Sequence, residues 1–152
     1  MLAQFLLFAL YFMDPIELLM NLPEWISYVS IPFLVIGVLV IAMGIIHLND
    51  NLTALPSPKK NAELISNGIY KYVRHPIYLG ILISMFAFSF YALCGFKLLI
   101  SFLLTLVFYF KSVLEEKYLV ERFEAYQLYK ENTGRFLPKC SFKSSRLTDN
   151  NS

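Results

Sequence analysis

The stretch PIYLGILISMFAFSFYALCGFKLLISFLLTLVFYFKSV, residues 76–113, carries a single charged residue, Lys97, before Lys111. A helix needs about 20 mostly apolar residues to cross the hydrocarbon core of a bilayer, and this stretch is long enough to do so twice. One candidate span runs from Pro76 to about Leu93 and the next from about Phe96 to Val113. Cys94-Gly95 leaves only a tight turn between them, so the two are expected to form an antiparallel hairpin. Working outward, a clear span runs from about Ile26 to Leu48, with Pro23 and Trp25 ahead of it. The segment from Met1 to about Met20 is weaker, because its apolar run ends at Met13 and Asp14-Pro15 interrupts it. The expected fold class is therefore an all-α integral membrane protein with about four transmembrane helices.

Composition agrees. Hydrophobic residues make up 57% of the chain and charged residues 16%, with a mean hydropathy of +0.57. A domain of 152 residues has too little interior to hide that much apolar side chain, so lipid is the expected solvent. The length suits one domain, 1–152, without a separate soluble module. A net charge of +2 is too weak to argue for nucleic acid as a partner. Cys94 and Cys140 form no CxxC pair, and His47 and His75 add no metal-ligand spacing, so no metal is expected. The apolar start lacks a basic n-region and a small-residue cleavage site before Asp14, and the end, Asp149-Asn150-Asn151-Ser152, holds no prenylation box.

The placement of charge supplies an orientation. Lys59, Lys60, Lys71 and Arg74 fall between the second and third spans. Lys111, Lys117, Arg122, Lys130, Arg135, Lys139, Lys143 and Arg146 follow the last one. The positive-inside rule puts both regions, and hence both termini, in the cytosol. Lys97 lies in the outer turn, with Asp14, Glu17 and Glu24 on that same side. Inner membrane and endoplasmic reticulum both accommodate this topology. From Leu114 to about Glu131, apolar residues recur at three- and four-residue spacing among charged ones, as in an amphipathic interfacial helix. Thr133-Gly134 and Pro138 are expected to end it, and residues 139–152 read as a loose tail.

Two clusters sit where spans meet cytosol. In Arg74-His75-Pro76-Ile77-Tyr78-Leu79-Gly80, Pro76 suits the first turn of a helix and biases His75 away from helical geometry. Gly80 permits close approach of a neighbour. Taken singly, Arg74 reads as a positive flank and Tyr70, Tyr72 and Tyr78 as an interfacial belt. In the second cluster, Glu115 and Glu116 project about 100° apart on a helix, so at most one is expected to face the interior. Lys111 and Glu115, four apart, are placed to meet on one face. A snorkelling Lys111 beside a solvated Glu115 is the plainer alternative.

Taken together, Arg-His-Pro-x-Tyr-x-Gly at 74–80, a helical hairpin, and then Glu115-Glu116-x-x-Leu119-x-x-x-Phe123 followed by Tyr126, Tyr129 and Arg135-Phe136-Leu137-Pro138 resemble the isoprenylcysteine carboxyl methyltransferase family. That family includes prokaryotic relatives and is related to the phospholipid N-methyltransferases. The resemblance covers a core at about 64–138. It implies a helical membrane enzyme that holds S-adenosyl-L-methionine near the cytosolic surface and methylates a lipophilic or lipidated acceptor, such as an isoprenylcysteine-like carboxylate. Carried over by position, its cofactor contacts fall on Ala62, Glu63, Leu64, Ile65, Tyr70, His75, Pro76, Ile77, Tyr78 and Glu115, and its acceptor contact on Lys111. His75 is the one residue offered for a catalytic role. The chain departs from the pattern at Phe123-Glu124, where the family has Phe-Gly. It departs again at Lys111, where the eukaryotic enzymes have an arginine, whose two-pronged grip on a carboxylate an ammonium lacks. Two other readings stand beside this one: an NADPH-dependent sterol-reductase-like enzyme, whose C-terminal layout is similar, and a small non-catalytic membrane scaffold or transporter component.

Overall fold

A computed structural model describes residues 2–16, 18–48 and 64–139. Among these, five α-helices form: α1 (Leu2–Met13), α2 (Trp25–Leu48), α3 (Pro76–Tyr91), α4 (Gly95–Arg122) and α5 (Tyr126–Asn132). A single 3-10 turn at Gly68–Lys71 precedes α3. No strand forms among the described residues; the extended backbone makes two isolated bridges, Leu19 with Cys94 and Val73 with Gly134. The expected all-helical class therefore holds. The helices long and apolar enough to cross a bilayer are α2 and α4, with 24 and 28 residues. At about 1.5 Å per residue, the 12 residues of α1 reach only about 18 Å, against a hydrocarbon core of about 30 Å.

The α3–α4 hairpin forms as expected, but its turn lies one step earlier. α3 stops at Tyr91, and Leu93 takes a φ of +48°, the left-handed region that a leucine enters only at a cost. Gly95 is already the first residue of α4. Its backbone N–H donates to the Leu18 carbonyl at 2.7 Å, and Met20 N–H donates to the Leu93 carbonyl at 2.7 Å. The segment after α1 thus lies against the hairpin turn and holds it in this shape. Asp14, also left-handed at φ +44°, ends α1.

α2 and α3 run antiparallel and pack closely because small residues meet. A Cβ on Gly80 would lie 2.7 Å from the Gly37 carbonyl oxygen and 2.8 Å from the Ile41 nitrogen. Outward, α2 exposes Val29, Phe33, Ile36, Leu39 and Ile46, a surface suited to lipid tails. α1 lies against α3 and α4 on a core of Tyr11, Leu82, Met85, Phe96, Ile100, Leu104 and Phe108.

A buried polar group ties the three together at the turn end. Lys97 pairs with Asp14 at 2.8 Å and donates to the Tyr11 carbonyl at 2.9 Å. The Tyr11 hydroxyl donates to the Met85 carbonyl at 2.7 Å. The bond from Lys97 holds the Asp14 carboxyl below the usual carboxylate range. Lys97 and Asp14 therefore share one end of the molecule.

The amphipathic segment differs from expectation. No proline or glycine interrupts Leu114–Arg122, and its leucines, glutamates and lysine are good helix formers, so α4 simply continues through it. The break comes at Phe123, whose backbone is extended (φ −122°, ψ 112°), and α5 resumes at Tyr126. The expected single helix from 114 to 131 is thus the end of α4 plus a separate short helix. Thr133 is extended at the C-cap of α5, so the predicted stop is where α5 ends. Cys94 is a buried free thiol; Cys140 and the rest of the tail lie outside the described residues, as do Glu17 and the lysines at 59 and 60.

Candidate active site

Pro76 is the first residue of α3 and is fully buried. Its preference for a non-helical predecessor leaves His75 at φ −124°, ψ 63°, so the imidazole leads the helix rather than lying along it. The backbone of 73–75 is fixed from the other side by the segment after α5. Arg74 N–H donates to the Gly134 carbonyl (2.9 Å) and His75 N–H to the Arg135 carbonyl (3.2 Å). Below them, the 3-10 turn is anchored twice: the Tyr70 hydroxyl donates to the Gly44 carbonyl of α2 (3.2 Å), and the Tyr129 hydroxyl donates to the Tyr70 carbonyl (2.6 Å). Burial pushes the Tyr129 phenol up to about 12 and raises that of Tyr70 further, so both remain neutral donors.

Opposite His75, α4 presents both glutamates. The Tyr78 hydroxyl donates to Glu115 Oε1 at 2.5 Å, and His75 Nδ1 lies 3.6 Å from Glu115 Oε2. The other imidazole nitrogen lies 3.4 Å from Glu116 Oε1. Glu116 is the more deeply placed, with a side chain 2% exposed. A buried carboxylate is tolerated only when paired, and this one is paired several times. Arg135 grips it with two bonds, Nε to Oε1 at 2.9 Å and Nη2 to Oε2 at 2.8 Å. Arg74 Nη2 is 3.0 Å from Oε1 and Lys130 Nζ 3.6 Å from Oε2. The bond to Glu116 raises the Arg135 pKa above its already high value. The expectation that at most one glutamate faces inward is therefore corrected. The two residues are 100° apart, but His75 sits between them and the 74 and 135 arginines reach the second from the side.

Aromatic rings complete the wall. Tyr78 stacks on His75 (centroids 5.5 Å apart) and on Phe108 (4.8 Å), both nearly parallel. Lys111 Nζ lies 5.2 Å from the Tyr78 ring centroid. It makes no direct ion pair with Glu115, although the two charges interact across the same helix face; among the described residues its hydrogen bond goes to Gln4 Oε1 at 3.2 Å. The reason is tertiary: α1 lies alongside α4 and offers an amide oxygen to the ammonium.

Of the residues singled out from sequence, the structure gathers His75, Tyr78, Glu115 and Lys111 at the mouth of the hairpin, with Pro76 beneath them and Tyr70 one layer toward α2. Ile77 packs instead against Gly44 of α2. Leu64 and Ile65 are half-buried in the irregular segment before the 3-10 turn, and Ala62 and Glu63 lie outside the described residues. Sequence reading missed Glu116 and Arg135 as the structural centre of the site, read Arg74, taken singly, as a positive-inside flank while also placing it in the 74–80 motif, and passed over Gln4. A signal existed for the first three, since an acidic pair next to a span with arginines before and after it invites a buried network. Three buried polar atoms lack a hydrogen-bond partner here: Arg74 Nε, His75 Nε2 and the Tyr126 hydroxyl. Among the described residues no group of histidine, cysteine or acidic side chains is arranged to hold a metal.

A family model described as phospholipid methyltransferase matches residues 25–126. No curated protein matches the chain. The matched region begins at α2, contains both the 74–80 motif and the Glu115-Glu116 pair, and ends at the first residue of α5. The chain belongs to the phospholipid methyltransferase family, membrane methyltransferases related to the isoprenylcysteine carboxyl methyltransferases.

Proposed function

We propose that this protein transfers a methyl group from S-adenosyl-L-methionine to a lipophilic acceptor at the cytosolic face of a membrane, which it crosses four times with both termini in the cytosol. The observation that carries the reading is Glu115. Its carboxylate is fixed by Tyr78 across the hairpin and faces His75, within the family-matched region. The residues present fit the donor. A sulfonium and an ammonium are cationic, and Glu115 offers an anion beside aromatic faces, a setting that favours cations. The donor's carboxylate and hydroxyls need partners, and Arg74 Nε and the Tyr126 hydroxyl are buried and unpartnered nearby.

When bound, the cofactor supplies a methyl group already activated on sulfur. What the chain contributes is orientation and the exclusion of water, which together supply much of a displacement rate. Tyr78 holds the Glu115 carboxylate in one rotamer, and Glu116 with Arg135 and Arg74 holds the loop bearing His75. Lys111 is placed to steer an anionic group of the acceptor. A carboxylate acceptor, as on an isoprenylcysteine, needs no base. An amine acceptor has to lose a proton first, and His75, set between two carboxylates, is positioned to take it. The lipid tail of the acceptor reaches the site from the bilayer side.

Purified protein tested by thermal shift should be stabilised by S-adenosylhomocysteine, and Glu115→Ala should remove most of that stabilisation. Stabilisation by NADPH alone overturns the reading in favour of a reductase, and no nucleotide effect favours a scaffold. Labelled S-adenosylmethionine with a total lipid extract then identifies the acceptor, because a methyl ester is released by alkali and an N-methyl group is not.

A further inference from the structure

Gln4 and Tyr11 are the polar side chains of α1, and α1 lies outside the region matched by the family model. Nevertheless Gln4 reaches the site: its amide oxygen accepts from Lys111 Nζ at 3.2 Å while the same ammonium lies over the Tyr78 ring. Among the described residues, no carboxylate pairs with Lys111. The direct contacts of this half-buried ammonium are a neutral amide oxygen and a ring face, with the Glu115 carboxylate acting on it only from beyond ion-pair distance, and a charged oxygen satisfies it better than a neutral one.

We propose that Gln4 is a specificity-determining residue for the acceptor: its amide oxygen stands where an anionic oxygen of the acceptor binds Lys111. Binding then requires the amide to give way, so α1 sets how strongly anionic amphiphiles are preferred over neutral ones. The inference rests on the methyltransferase reading for the identity of the ligand as acceptor, but not for the anion subsite itself. Carboxylate and phosphate share the chemistry that Lys111 recognises.

The test measures binding of three probes to the full chain in nanodiscs: N-acetyl-S-farnesylcysteine, short-chain phosphatidic acid and the matching neutral diacylglycerol. Gln4→Leu frees Lys111 and should tighten both anionic probes by about threefold or more, leaving the neutral probe unchanged. Gln4→Glu supplies a fixed carboxylate to Lys111 and should weaken them about tenfold or more. In a Lys111→Gln background neither change should matter. Whichever anionic probe responds more strongly identifies the head group. Should Gln4→Glu fail to fold, Gln4→Leu decides alone. Equal effects on neutral and anionic probes, or anionic affinities unmoved by either substitution, overturn the proposal. S-adenosylhomocysteine binding is measured on the same samples. If it is absent while the Gln4 dependence persists, the methyltransferase reading falls and the subsite stands; if it is present without Gln4 dependence, only the subsite falls.

Discussion

A carboxylate as buried as that of Glu116 survives only while cations surround it, here two guanidiniums and a more distant ammonium. Removing one partner of such a buried set leaves the others desolvated and uncompensated, at a cost of about 3–5 kcal/mol. Glu116→Gln should therefore destabilise the protein by about that amount, seen as a melting temperature at least about 6 °C lower in detergent. A change within experimental error means that the network is not held in the folded protein. By contrast, Glu115 has one strong bond, from Tyr78, and a longer approach to His75, and so retains capacity for a ligand. Adjacent residues on one helix thus divide the work. The sequence shows that two acids stand at the end of a span but not which one is structural, because that depends on where Arg74 and Arg135 arrive from elsewhere in the chain.

At the scale of elements, the mouth of the hairpin is held in place by backbone contacts as much as by side chains. α2 meets α3 through Gly80, where a methyl group would strike the Gly37 carbonyl oxygen and the Ile41 nitrogen. Backbone cannot rotate away, so Gly80→Ala should cost about 1–3 kcal/mol and shift α2, with it Gly44 and the anchor of Tyr70. Gly95→Ala meets the flexible Leu18 side chain at 3.1 Å instead and should cost less. Thermal melting of the two variants checks the order; a larger loss at Gly95 contradicts the close-packing account. The helices α2 and α4, the hairpin and the Pro76 helix start were legible, since they follow from hydropathy and the chemistry of proline. The turn at Leu93 was not. A glycine at 95 is the natural local choice for a turn, and only the pairing of Leu18 and Met20 with the hairpin moves the bend to its neighbours.

For the whole molecule, the Lys97–Asp14 group marks one end and the Glu116 cluster the other, and the proposed orientation puts the membrane between them. In cells carrying the protein in a bacterial inner membrane, with Cys94 and Cys140 replaced by serine, Tyr91→Cys should react with an impermeant maleimide added outside. Asn67→Cys should react only after permeabilisation. Labelling of both from one side contradicts the four-span topology. By itself the sequence determined that the chain is helical and resides in a membrane, and where its polar ends lie. These follow from the solvent, because a bilayer demands long apolar runs with self-satisfied backbones and sorts basic residues to one side. It also displayed the two motifs that resemble a methyltransferase family. Only the tertiary structure decided that Glu116, rather than Glu115, anchors the arginines, and that Lys111 turns to Gln4 of α1. Those choices depend on which distant side chains arrive first at each charge, and spacing along one helix does not contain that information.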